Sequence, residues 1–131
     1  MYARMKRTHT VLVIEDEADI SETVAAALTD EGYRVVTAQD GQIALEMLQR
    51  QPPDAIVLDL VLPNLDGWQF TKLCRSNPST ACTPIIVVTG AYDALEDADV
   101  GSLVFVEKPF DLDILLALVE EAVSSPPAAI A

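Results

Sequence analysis

Short runs of branched aliphatic residues, each delivering a polar group at its end, constrain this chain more than any other feature. Val11-Leu12-Val13-Ile14 leads into Glu15 and Asp16, and Ala55-Ile56-Val57-Leu58 into Asp59. Ile85-Ile86-Val87-Val88 leads into Thr89, and Leu103-Val104-Phe105-Val106 through Glu107 into Lys108. Runs of this length, bounded by polar or turn residues, read as strands buried on both faces. Open α/β sheets bind ligands outside the carboxyl ends of their strands, where these groups fall. Carboxylates converging there repel one another unless a cation joins them, and an all-oxygen set suits Mg²⁺ or Mn²⁺. A lysine beside them pairs with whatever anion the metal recruits. The outline is that of a phosphoryl site.

Between the runs the apolar period lengthens to that of a helix. Strand and helix alternate five times, which implies a parallel sheet with right-handed crossovers. The spacing predicts a helix over Ala18–Asp30, with Ile20, Val24, Ala27 and Leu28 inward and Gly32 as its stop. Tyr33–Ala38 alternates and contains Arg34, so it reads as a strand nearer an edge. Asp40 is placed to cap a second helix whose buried stripe is Ile43, Ala44, Leu45 and Leu48, ended by Pro52-Pro53. After Asp59 a loop turns at Asp66-Gly67 into a third helix with Trp68, Leu73 and Cys74 inward. Ala91–Gly101 has little apolar content and four acidic residues, which predicts a short fourth helix. The last helix is expected from Asp111 to about Val123, with Ile114, Leu115, Leu118 and Val119 as its stripe.

The 131 residues fit one domain, expected over 10–124 between a basic tail at 1–9 and a disordered tail at 125–131. The formal net charge is −13, and Arg4, Lys6 and Arg7 in the first tail leave the body near −16. Such a balance argues against direct binding to nucleic acid or to an anionic membrane. No apolar run approaches the roughly 18–20 residues of a membrane span, and no h-region follows the basic start, so a cytoplasmic location is expected. Cys74 and Cys82 lack metal-ligand spacing and read as free thiols.

Taken together, Glu15-Asp16, Asp59-Leu60-Val61-Leu62-Pro63-Asn64-Leu65-Asp66-Gly67, Thr89-Gly90 and Lys108-Pro109-Phe110 resemble the receiver domain of two-component response regulators. The match extends over about residues 10–124. It implies a doubly wound, flavodoxin-like sheet of order 2-1-3-4-5 flanked by five helices, the fourth short. It also implies that Asp59 is the phosphoacceptor, taking a phosphoryl group from a sensor histidine kinase or a histidine phosphotransfer protein. Asp16, Asp59 and the backbone carbonyl of Val61 would ligate Mg²⁺ (or Mn²⁺), with Glu15 acting through a bound water. Lys108 and Thr89 would contact the phosphoryl group, and Thr89 with Phe105 would form the conformational switch. By the same resemblance Lys108-Pro109 is a candidate cis peptide. The chain would then be a signalling module acting on an unknown output protein, not a turnover enzyme.

Other classes fit less well. An aspartate-nucleophile phosphatase wants a second carboxylate two residues after Asp59, where Val61 stands. A flavin-binding domain of this topology would need a phosphate loop where Glu15-Asp16-Glu17-Ala18 lies. A receiver fold used as a phosphorylation-independent interaction module is the remaining alternative. One departure from the family is local: only 18 residues separate Thr89 from Lys108, fewer than receivers usually carry.

Overall fold

The computed structural model describes residues 8–89 and 104–124, with the backbone alone at Thr89. In chain order the elements are β1 (Thr10–Ile14), α1 (Ala18–Asp30), β2 (Arg34–Ala38), α2 (Gly41–Arg50) and β3 (Ala55–Asp59). They continue with α3 (Gly67–Ser76), β4 (Ile85–Thr89), β5 (Val104–Glu107) and α4 (Leu112–Ser124). The strands form one parallel sheet in the order β2-β1-β3-β4-β5, as the sequence predicts. The order reverses between β1 and β3, so the carboxyl ends of those two strands flank the crevice where such sheets bind ligands. Among the described residues there are four helices; the short helix expected at Ala91–Gly101 lies outside them, as do tail residues 1–7 and 125–131.

Local chemistry sets the element ends. Gly32 has φ +100°, a left-handed conformation that lets the chain leave α1 and enter β2 without a Cβ clash. At the start of α2, the Asp40 side chain accepts from the Ile43 N–H at 2.8 Å. Asp66 and Gln69 form a reciprocal capping box on α3. Arg34 N–H donates to the His9 carbonyl at 2.9 Å, which extends the β1–β2 pairing one residue toward the N-terminus.

Alternation along the strands divides the core in two. Leu12, Ile14, Ile56, Leu58, Ile85 and Val87 meet Ala44 and Leu48 of α2 and Phe70 and Cys74 of α3. Val11, Val13, Val57, Ile86, Val88 and Val106 meet Val24 and Leu28 of α1 and Leu115 and Val119 of α4. Three positions expected inside are outside: Ile43 is 37% exposed, Leu73 46% and Ile114 54%. The reason is rotational. On α2 and α4 the inward line runs through the i, i+4 pairs Ala44/Leu48 and Leu115/Val119, so a residue one step earlier sits about 100° away, on the flank. On α3 the line is Phe70/Cys74, and Leu73 is turned away by the same step. Both cysteines are free, Cys74 buried and Cys82 exposed.

Candidate functional site

The reversal point of the sheet collects the groups singled out by sequence. β1 continues one residue beyond its assigned end, since Glu15 N–H donates to the Ala38 carbonyl at 3.0 Å. That extension carries the Glu15 side chain to 5% exposure, while Asp16 turns out to solvent. β3 ends in Asp59, 6% exposed, whose Oδ1 accepts from the Val61 N–H at 3.1 Å. One carboxylate oxygen each from Glu15, Asp16 and Asp59 lies within 4.8 Å of the others. Such a set of oxygen donors, two buried and one open, fits a hard divalent cation.

Lys108 arrives from the far side, just beyond β5, and its peptide to Pro109 is cis. Its Nζ lies 3.2 Å from Asp59 Oδ2, 3.4 Å from Glu15 Oε1 and 3.9 Å from Glu17 Oε1. Three carboxylates therefore surround one ammonium, and Asp16 lies beside two of them. Burial, with the Asp59 charge adding to it, pushes Glu15 up to about 7, against the opposing pull of the Glu17 N–H and of Lys108. Burial works against the Lys108 charge, but the carboxylates of Asp59 and Glu15 outweigh it and hold its pKa above the usual lysine value. An excess of negative charge held in place by folding is what a cation site requires in its ion-free state.

Not every predicted member comes together here. Thr89 ends β4, in register with Glu107 of β5, but its side chain lies outside the described residues. Val61 is 65% exposed and enters the site through its backbone. Phe105 is half-buried on the α2/α3 side, its ring centroid 6.5 Å from that of Trp68 at 56°. Two members were not anticipated. Glu17 stands at the N-cap of α1 without capping it and turns to Lys108; the run of acids after β1 was its only signal. The Asn64 amide donates to Asp40 Oδ2 at 2.9 Å across 24 residues, a contact with no trace in local sequence.

A family model described as the response regulator receiver domain matches residues 11–120. The chain belongs to that family. This receiver is 33% identical over 120 residues to the response regulator ArlR of Staphylococcus epidermidis, covering 89% of this chain and 53% of that one. It thus spans about half the length of the curated relatives it matches. Among solved structures it resembles the chemotaxis response regulator CheY4 of Vibrio cholerae, with TM-score 0.82 and 31% identity over 88% of this chain and 99% of the other. It also resembles the receiver domain of the sensor histidine kinase PA1611 from Pseudomonas aeruginosa, which holds a magnesium ion in its active-site cleft. That match has TM-score 0.80 and 29% identity over 91% of this chain and 100% of the other.

Proposed function

We propose that this receiver accepts a phosphoryl group on Asp59 and signals through protein contacts made in the phosphorylated state. An Asp59 carboxylate oxygen attacks phosphorus, the P–N bond of a phosphohistidine breaks, and its electron pair leaves with the imidazole, giving an acyl phosphate. The observation that carries this reading is the placement of Lys108 Nζ, 3.2 Å from Asp59 and 3.4 Å from Glu15, beside a cluster of three convergent carboxylates. Asp59 has one oxygen tied to the Val61 N–H and the other to Lys108, so its carboxylate is oriented before any donor arrives. Lys108 stays protonated in these surroundings and is positioned to pair with incoming phosphoryl oxygens.

Asp16, Asp59 and the Val61 carbonyl would hold Mg²⁺ or Mn²⁺, with Glu15 acting through a water. When bound, such an ion supplies charge neutralisation on the phosphoryl oxygens. The magnesium-bound cleft of the Pseudomonas neighbour supports that assignment. Thr89 would donate its hydroxyl to the phosphoryl group, and Phe105 would follow it as the switch aromatic. Donors would be a sensor histidine kinase or a histidine phosphotransfer protein, and the output an unidentified protein. At a net charge of −13 this unit would not itself contact nucleic acid or an anionic membrane. No helix among the described residues is long and apolar enough to cross a membrane. A cytoplasmic location is part of the same proposal. Because the phosphoryl group is received and released on the protein itself, the chain acts as a signalling module, not as a turnover enzyme.

Borohydride reduction after incubation with a small acyl phosphate and Mg²⁺ tests the site. It should convert residue 59 alone to homoserine in the mapped peptides. Reduction at another carboxylate, or at none, would contradict the reading.

A further inference from the structure

We propose that Asn64 and Asp40 are positioning residues for the cation site: the hydrogen bond between them docks the β3–α3 loop on α2 and so sets the direction of the Val61 carbonyl. The inference rests on the phosphoryl-acceptor reading above and deepens it.

The inner end of the loop is fixed by the core. Leu60 and Leu62 are 4% and 9% exposed, and Gly67 N–H donates to the Leu60 carbonyl at 3.0 Å. A Cβ at Gly67 would sit 2.7 Å from Leu60 Cα, so backbone packs on backbone there. Val61 stands between the two buried leucines with its side chain 65% exposed. The Val61 N–H is tied to Asp59 Oδ1, but no packing of the side chain orients the carbonyl, whose direction on this proposal follows the path the loop takes beyond Leu62.

That path is set by α2. The outer turn has Asn64 at φ +69°, a left-handed conformation that asparagine tolerates, and Leu65 N–H donates to the Pro63 carbonyl at 2.8 Å. From this turn Asn64 Nδ2 reaches Asp40 Oδ2 at 2.9 Å, while Asp40 Oδ1 caps the helix through the Ile43 N–H. One carboxylate, fixed by a helix end, therefore receives the loop with its second oxygen. The Ile43 N–H chiefly, and the Asn64 amide after the opposing effect of desolvation, hold the Asp40 carboxyl below its usual range. A second contact agrees. A Cβ at Gly41 would collide with the Leu65 carbonyl oxygen, so the loop lies directly on the first turn of α2. An exposed hydrogen bond adds little to stability, since water competes for both partners; its value here is in fixing a geometry.

The test is Mn²⁺ affinity of the full chain, read from the free-ion signal in electron paramagnetic resonance, with thermal midpoints of the ion-free proteins alongside. Asn64→Gly keeps the left-handed turn and removes the amide. Asp40→Ser keeps a capping oxygen for Ile43 but is too short for Asn64. Asp40→Asn removes the same charge as the serine variant yet can pair amide to amide with Asn64. Removing groups that orient metal ligands costs about 10–100-fold in affinity, and a tie acting through a backbone carbonyl belongs at the low end, about tenfold. Asn64→Gly and Asp40→Ser should each raise Kd by about that factor, the double variant no further, and Asp40→Asn should stay near wild type. Midpoints should move little, because the cap survives. Equal loss in Asp40→Ser and Asp40→Asn would mean that charge alone matters, and wild-type affinity in Asn64→Gly would remove the tie; either result overturns the inference. If wild type itself binds no Mn²⁺, the acceptor reading fails first and this inference with it.

Discussion

The face of the sheet covered by α1 and α4 has a buried core of valine, leucine and isoleucine alone among the described residues. The face covered by α2 and α3 is built otherwise. Phe70 and Cys74 lie in its centre, Leu60 and Leu62 of the β3–α3 loop are part of it, and Trp68 and Phe105 pack against its rim. The first face seals the sheet beneath the acids. The second continues into the loop that leaves Asp59, so packing and site geometry are coupled there. A fold can thus keep an aliphatic wall on one side and, on the other, a core that runs into the loop after Asp59, both held by the same five strands.

Truncating the core should separate the two faces. Leu115→Ala, at a fully buried position on the α1/α4 side, should cost about 2–5 kcal/mol by urea denaturation while the protein that stays folded binds Mn²⁺ like wild type. Leu62→Ala, at the margin of the other core, should cost nearer the low end of about 2 kcal/mol and weaken Mn²⁺ binding several-fold. If the two variants shift affinity equally, the faces are not distinct in the sense drawn here.

A smaller effect concerns pH. An unfolded Glu15 loses its proton near 4.5, whereas the folded, ion-free protein keeps it until about 7. Between those values the native state binds more protons than the unfolded chain, so Glu15 makes stability fall as pH rises through that window, with no further loss above it. Glu15→Gln should remove this component. Urea midpoints in chelator at pH 5 and pH 8 should diverge more for wild type than for the variant; an identical pH dependence would contradict the burial of a charged Glu15. Smallest of all, Ile114→Gln should change stability by no more than about 0.5 kcal/mol, since its side chain is 54% exposed.

Much of this was legible in the sequence, for reasons tied to particular residues. Valine-rich runs with both faces buried leave little choice of conformation, so β1, β3 and β4 are found within a residue of their expected bounds. α1 spans Ala18–Asp30 as predicted, because Gly32 marks its end. Glu15, Asp16, Asp59 and Lys108 come together because each ends or follows a strand of one parallel sheet; the alternation implied the parallel sheet, and the strand order came from the family resemblance. The stripes of α2, α3 and α4 were read one step too wide: apolar identity alone does not say which side of a helix meets the sheet, as Ile43, Leu73 and Ile114 show. Asp40 was legible as a cap but not as an acceptor for Asn64, since that contact depends on where a loop from another strand lands.

The decisive measurement is the intact mass of wild type and Asp59→Asn after incubation with a small acyl phosphate, with and without Mg²⁺. A single phosphoryl adduct that requires both Mg²⁺ and Asp59 is the predicted result. An adduct that persists in Asp59→Asn or without a divalent cation would contradict the acceptor site described here. So would the absence of any adduct in a folded wild-type protein, which would leave a phosphorylation-independent interaction module.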